Sequence, residues 1–515
     1  MAVVLNRPLS ADPKNAQPIA ANCAMMMTHK IHNAACRVAV GADFGTCNAE
    51  GFTGVLKGGK PSDSENECQS VGRYDLSDGL PFTLQSNLTD RQVDGSSRKM
   101  DASSTDTAAS LIGEPPEVVA GRLRHLPGFV FLDSSSEAQG AVSIITALPD
   151  EVLTGHISHP EPLKAALEQL KVAESSRFDL GFPRGGLFGS VDFDGSYTFG
   201  RYSHVLVFHH DSGDWTEVGD VLGAEMRTGD RENTPTQPIE FQHLMGQNDF
   251  CARVRKAQDY IAAGDIYQVN LAHRFSGKWQ AGRDAFDFYR VLRDRSPSPM
   301  GAFLHLGDRQ VLSTSPESFL KMSGRWVQTR PIKGTRPRFA DEARDALSAI
   351  ELQQSEKEAA ELVMITDLER NDLGQVCEFG TVTVPEMLRL EAFEQVYHLI
   401  STVEGTLRQG VDHVDALAHC FPGGSISGAP KKRSLEIIAE LEPFSRGLYT
   451  GAIGYFGANG ESHFNIAIRT AVVEGDEIQF HVGSGIVADS DPEKEWQETL
   501  HKAAGILSAA GENCD

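Results

Sequence analysis

The chain has 515 residues, 40% of them hydrophobic and 23% charged, with a formal net charge of -24. That length holds about two to four domains, or one large α/β or β-rich unit. The acidic balance argues against nucleic acid and anionic membrane surfaces as partners, though a local cationic pocket for a small anion remains compatible with it.

No apolar run reaches the length of a membrane span. Cys23, Cys36, Cys47, Cys68, Cys251, Cys377, Cys420 and Cys514 form no C-x-x-C pair and no zinc-type spacing, which predicts a reduced, cytoplasmic setting. The first residues lack a secretory signal pattern, since Ala24-Met25-Met26-Met27 is too short for an apolar h-region.

Residues 1–115 are dominated by Ser, Asp, Asn, Gly and Thr without periodic apolar patterning, and read as a disordered low-complexity extension. Residues 116–235 read as an N-terminal subdomain. Phe129-Val130-Phe131-Leu132-Asp133 and Val142-Ser143-Ile144-Ile145 are strand-like, Pro162 to Val172 is helix-like, Gly185 to Gly189 interrupts, and His204 to Phe208 is another strand. A polar stretch from Asp211 to about Thr236 reads as a linker. Residues 236–510 are dense in helices and strands and read as the catalytic domain.

Within that domain, Pro331-Ile332-Lys333-Gly334-Thr335-Arg336-Pro337-Arg338 sets one lysine between a proline and a glycine, with two arginines behind it. Cationic neighbours disfavour an ammonium, so the segment predicts a lysine available as a neutral nucleophile. Taken alone, K-G-T is more often a surface turn. Ser355-Glu356-Lys357-Glu358 carries a capping-box signature for a helix running to about Leu368, with Glu361 one turn inside. Asp491-Pro492 opens a second helix, in which Trp496, Leu500, Ala503 and Leu507 form the apolar stripe while Glu495, Glu498 and Lys502 share another face. Such a face is ordinarily solvated. Yet Mg²⁺ is often held by one or two carboxylates, with water and ligand in its other positions.

Three segments suit an anion. Phe421 to Lys431 is a glycine-rich loop opening a helix, though not a Walker A loop, because Ala429 follows Gly428. His481-Val482-Gly483-Ser484-Gly485 ends a strand in a glycine cluster with free N–H groups. Arg469 reads as a strand residue on a face shared with Asn465, Ala467 and Ala471. Singly, each is as compatible with turn chemistry as with a site. His398 lies in the strand Val396 to Val403, where a lone histidine is more often a core residue than a catalyst, and Glu317 in Ser315-Pro316-Glu317 is ordinarily a turn acid.

Together, Gly264 to Leu271, Ser315 to Glu317, Pro331 to Arg338, Asp367 to Asp372, Gly423 to Lys431, Gly447 to Gly457 and Gly483 to Glu498 resemble the chorismate-utilising enzymes. These comprise component I of anthranilate synthase, component I of aminodeoxychorismate synthase, and the isochorismate and salicylate synthases. The resemblance covers about residues 120–510. It implies an α+β fold in which stacked antiparallel sheets flanked by helices enclose the active site. It implies Mg²⁺ at Glu361 and Glu498, with Glu495 adjacent. Gln268, His398, Ser425, Tyr449, Arg469, Gly483, Ser484, Gly485 and Lys502 would meet the substrate.

Two positions divide the subfamilies. Gln268 stands where isochorismate-type enzymes carry a water-activating lysine, and Lys333 stands where anthranilate synthases usually carry alanine. Lys333 and Tyr267-Gln268-Val269-Asn270-Leu271 resemble component I of aminodeoxychorismate synthase. That implies a covalent Lys333 intermediate, Glu317 as general acid, and amination of chorismate to 4-amino-4-deoxychorismate for p-aminobenzoate and folate. Ammonia would come from a separate class I glutaminase subunit in a heterodimer, because Gly45-Thr46-Cys47-Asn48-Ala49 fails the glutaminase elbow pattern. Only a short tail follows Leu507, so no pyruvate-eliminating lyase domain is expected. Leu132-Asp133-Ser134 resembles the family's tryptophan-pocket strand, with Ser134 as the contact. The rival readings are anthranilate synthase component I and a non-catalytic chorismate-like binding protein.

Overall fold

A computed structural model describes residue 111 and residues 113–135, 140–170, 181–219 and 238–511. Most of the 1–115 extension and of the 211–236 linker lies outside the described residues.

The described strands form two antiparallel sheets. The first has 11 strands, and at one end the order runs Gly428–Ala429, Gln268–Lys278, Glu477–Ile486, Thr470–Glu474 and Arg309–Ser315. Met300–Leu306 and the N-terminal strands Val130–Asp133, Val142–Thr146, Val205–His209 and Asp214–Val218 complete it toward the other end. The second has 10 strands and begins with Ile332–Pro337, Val396–Thr406, Trp326–Thr329, Ser318–Ser323, Glu461–Ile466 and Ala452–Gly457. It ends on the N-terminal strands Gly186–Val191, Ser196–Tyr202 and Glu151–His156, so strands before residue 219 enter both sheets.

Alternation of apolar and polar residues gives each sheet two usable faces. Between the sheets, Val130, Ile144, Val207 and Leu304 of the first pack with Phe188, Tyr202, Ile453 and Tyr455 of the second. The outer face of the first sheet is covered by helices Pro116–Leu123, Ala285–Arg295 and Pro492–Ala509. The outer face of the second is covered by Glu161–Gln169, Glu356–Val376 and His413–Cys420. This is the α+β arrangement of stacked antiparallel sheets and flanking helices expected from the resemblance.

Several local expectations change. Gly185 to Gly189 does not interrupt: Gly186–Val191 is a fully buried strand, and a Cβ on Gly189 would sit 2.0 Å from the Thr198 carbonyl oxygen. The helix opened by Ser355 runs to Val376, eight residues beyond the expected Leu368. Its Ser355 hydroxyl accepts from Glu358 N, but Ser355 N donates to Leu352 O, so only half of the capping box closes. At the second carboxylate helix, Asp491 caps as expected, accepting from Glu493 N and Lys494 N at 3.1 Å each.

Candidate active site

At one end of the sandwich the two sheets, both carboxylate helices and the glycine-rich loop enclose a cavity of about 630 Å³. Of the residues singled out in the sequence, Glu317, Lys333, Glu361, His398, Ser425, Tyr449, Arg469, Gly483, Gly485, Glu498 and Lys502 line it. Gln268, Ser484 and Glu495 stand just behind its wall.

Lys333 is carried by Ile332–Pro337, whose pairing with Val396–Thr406 shifts register between Lys333 and Thr335. Gly334 at this shift has φ +71, and such a bulge re-aims the neighbouring side chain. The Lys333 ammonium reaches the Ser425 carbonyl at 3.4 Å. The two arginines expected to crowd Lys333 are engaged elsewhere, and carboxylates join the cations around it. Arg338 is turned to Asp345 at 3.0 Å and Arg336 to the Thr335 carbonyl, whereas Glu317, Glu361 and Glu498 all feel Lys333 as an attractive charge.

Glu317 is buried, and desolvation raises its carboxyl above the usual carboxylate range against the Ser425 hydroxyl, the Lys333 charge and the Ile332 N–H, which all favour ionisation. A carboxyl held toward its neutral form beside a lysine has the character of a general acid. Burial lowers His398 to about 4, and its Nδ1 lies 3.1 Å from the Thr335 hydroxyl and 3.2 Å from the Gly334 carbonyl. It is a neutral imidazole tied to the backbone beside Lys333.

Arg469 is not the strand residue expected. It falls between Glu461–Ile466 of one sheet and Thr470–Glu474 of the other, with φ 50. Desolvation lowers its guanidinium pKa and no carboxylate counters it, so this half-buried cation faces the cavity without an ion-pair partner among the described residues. Left-handed backbone at a non-glycine residue is costly and recurs at functional sites.

The glycine cluster contributes closeness. Side chains at Gly483 and Gly485 would collide with Asn270 Oδ1 at 2.7 Å and Gln268 Nε2 at 2.3 Å. Gly483 turns its carbonyl to Lys502 Nζ at 3.0 Å, and Lys502 also holds Glu498 at 2.7 Å. From the loop after Phe421, Ser425 and Ile426 line the cavity, while no residue of the helix Lys431–Leu441 does. The loop therefore serves through Ser425, not through the helix end the sequence suggested.

The carboxylates suit a hard cation. Lys357 Nζ bridges the two helices, 3.9 Å from Glu361 Oε1 and 3.8 Å from Glu495 Oε1, so one positive charge reaches both. Among the described residues no three His, Cys, Asp or Glu side chains close on one point by themselves. Such a donor set fits Mg²⁺, which keeps water and ligand oxygens in most of its positions. Desolvation raises Glu361, whereas at Glu498 the same burial effect is outweighed by Lys502, Lys357 and Lys333 and its pKa falls. Glu495 is buried and accepts from the Ser484 hydroxyl, so it backs the site from behind.

Sequence reading missed Lys357, Glu358 and His481 as cavity residues. Lys357 had a signal, four residues before Glu361. His481 had none, because only the pairing of Glu477–Ile486 aims it inward, where its ring stacks on Tyr449 at 5.4 Å. Ser134 lies elsewhere, lining a second cavity of about 280 Å³ with Asp133, Arg330 and Glu391.

A two-sheet α+β enclosure around a cavity lined by lysines, an arginine and carboxylates defines the class of protein. The particular family follows from comparison: residues 185–508 match the chorismate binding enzyme family, and the chain belongs to it. It is 51% identical over 261 residues to anthranilate synthase component 1 of Streptomyces coelicolor, covering 50% of this chain and 51% of that one. It is 43% identical over 279 residues to aminodeoxychorismate synthase component 1 of Bacillus subtilis, covering 54% of this chain and 59% of the relative. The chain thus spans between about half and three fifths of the length of these relatives. The crystal structure of anthranilate synthase component I from Streptococcus pneumoniae TIGR4 superposes with TM-score 0.63 at 30% identity, covering 72% of this chain and 93% of that one. Among the described residues no helix is long and apolar enough to cross a membrane.

Proposed function

We propose that this chain aminates chorismate at C4, as component I of an aminodeoxychorismate synthase. The observation that carries this reading is Lys333 in the cavity beside Glu317, its nitrogen 3.4 Å from the Ser425 carbonyl. Arg469 supplies a half-buried guanidinium for a substrate carboxylate. Glu361 and Glu498 would hold Mg²⁺, with Glu495 behind them. Bound Mg²⁺ would supply positive charge against the substrate's ring carboxylate.

The proton accounting works with these side chains. The Lys333 ammonium first gives up a proton to solvent; the neutral amine then attacks C2, both ring double bonds shift, and the C4 oxygen leaves as water with the proton donated by Glu317, leaving a secondary ammonium on C2. Ammonia then adds at C4, both double bonds shift back, and the C2–N bond breaks so that the Lys333 amine departs with its electron pair. The new C4 ammonium returns a proton to Glu317. Two allylic substitutions replace one difficult displacement. His398, Tyr449, Gln268, Gly483, Ser484, Gly485 and Lys502 shape the pocket. Ammonia would come from a glutaminase subunit, with free ammonium replacing it in vitro. The second cavity around Ser134 would take tryptophan, and a null titration with tryptophan would remove that part.

A second reading is favoured by the 51% identity to an anthranilate synthase component 1: the same pocket would then aminate chorismate with loss of pyruvate. Mass spectrometry of products after incubation with chorismate, Mg²⁺ and ammonium separates the two. An aminated product retaining its enolpyruvyl group supports the first reading. Anthranilate with pyruvate overturns it in favour of the second.

A further inference from the structure

One buried carboxylate near the cavity has no part in the chemistry above. Glu369 lies on Glu356–Val376, the helix that also carries Glu361, and it does not line the cavity. Its Oε1 accepts from Gly424 N at 2.9 Å, and its Oε2 faces the Thr329 hydroxyl at 3.4 Å. Gly424 begins the loop turn that contains Ser425, and Thr329 ends the strand that leads within four residues to Lys333. The contact at Gly424 is tight: a Cβ there would meet Leu368 Cδ2 at 2.7 Å and Glu369 Oε1 at 2.9 Å. The nearby cation is already engaged, since Lys431 binds Asp372 at 2.5 Å. Glu369 therefore spends its two oxygens on the two backbone segments that flank Lys333.

Such a placement matters because Ser425 touches both reactive groups, with its carbonyl at Lys333 and its hydroxyl at Glu317. We propose that Glu369 is a positioning residue: from outside the cavity it fixes the Gly423–Gly428 loop against the Lys333 segment, and so sets where the Lys333 nitrogen and the Glu317 carboxyl stand. Because Glu369 and Glu361 share one helix, the loop and the cation-holding carboxylate keep a common register. This inference rests on the proposed roles of Lys333 and Glu317. Burial and the neighbouring Asp372 raise the Glu369 carboxyl above the usual carboxylate range, in keeping with a group kept in place for its hydrogen bonds despite its desolvation.

Two variants test it. Glu369→Leu keeps volume and removes both acceptors; Glu369→Gln keeps the acceptor for Gly424 N and replaces the second by an amide N–H that the Thr329 hydroxyl can accept. Two readouts are taken on each: kcat and KM for chorismate with saturating ammonium, and the rate at which acetic anhydride modifies Lys333 relative to exposed Lys278, read by peptide mass spectrometry. A misplaced reacting group costs about a hundredfold in rate, so Glu369→Leu is expected to lower kcat about ten- to a hundredfold with KM changed less than about threefold. Lys333 labelling should shift in the same variant, and Glu369→Gln should restore both to within a few-fold of the parent. Equal loss in the two variants, a change in KM alone, or Lys333 labelling identical in all three proteins would overturn the proposal. The labelling arm needs no turnover. If the parent chain fails to consume chorismate, the amination reading falls while the positioning role is still decided by the Lys333 rates.

Discussion

At the scale of single residues the site is built from groups held in states water would not favour. Glu317 is raised by burial, His398 is lowered to about 4, and Arg469 is half-buried and lowered by desolvation alone. In the proposed mechanism protonated Glu317 is the acid, so kcat should fall as pH rises through its raised pKa, and Glu317→Gln should abolish that alkaline limb. The substitution should also cost about 10²- to 10⁴-fold in kcat. A pH series on parent and variant tests both points. Lys333→Ala should remove any covalent species: in chorismate without ammonium, the parent should gain the mass of chorismate less water and the variant should not. An adduct that persists in the variant would put the nucleophile elsewhere. Lys333 and Glu317 were legible from their motifs. The carboxylate surround of Lys333 was not, because its three acids come from a turn and two helices distant in sequence.

At the scale of elements, two devices aim the chemistry. The shift at Gly334 turns Lys333 inward, and a side chain there would meet Leu352 Cδ1 at 2.7 Å as well as the unfavourable left-handed backbone. Gly334→Ala is expected to cost about 1–2 kcal/mol, read as a lowered denaturation midpoint, and to reduce turnover beyond that loss of folded protein. Unchanged turnover would mean that the register shift does not place the lysine. The second device is the helix Glu356–Val376. Its start was legible because a cap is a local signal, and Ser355 acts as one. Its true end was not, since continuation past Leu368 depends on burying Glu369, Asp372, Leu373 and Val376 against distant partners. Gly186–Val191 failed as a prediction for a related reason: glycines read as breakers, yet here they let strands approach where a Cβ would clash.

At the scale of the whole molecule, the first sheet is tied to the glycine-rich loop by Arg446 and Glu442, both buried. Arg446 binds Glu442 Oε1 at 2.7 Å and also donates to the Asn270 and Ile426 carbonyls, while Glu442 Oε1 accepts from Ala272 N at 2.8 Å. Removing one member of a buried pair strands the other, so Arg446→Met should destabilise by about 3–5 kcal/mol, measured by denaturant unfolding. A loss below about 1 kcal/mol would show that the pair behaves as a solvated one. The proposed cation, by contrast, should act on function: chelation should suppress turnover, Glu361→Gln and Glu498→Gln should each raise the Mg²⁺ concentration for half activity, and none of these should match the Arg446→Met loss of stability.

The sequence by itself determined the class of fold, the family resemblance and most of the residues that line the cavity, because local spacing encodes caps, strand alternation and motif order. Tertiary structure decided the rest. It put Arg469 at a crossover between sheets instead of on a strand face, took Lys333 from the company of arginines to that of carboxylates, and assigned the loop's contribution to Ser425 instead of a helix end. Each of these depends on which distant segments share a wall. That is settled by packing and by the matching of buried polar groups across the fold, quantities that no local window of sequence contains.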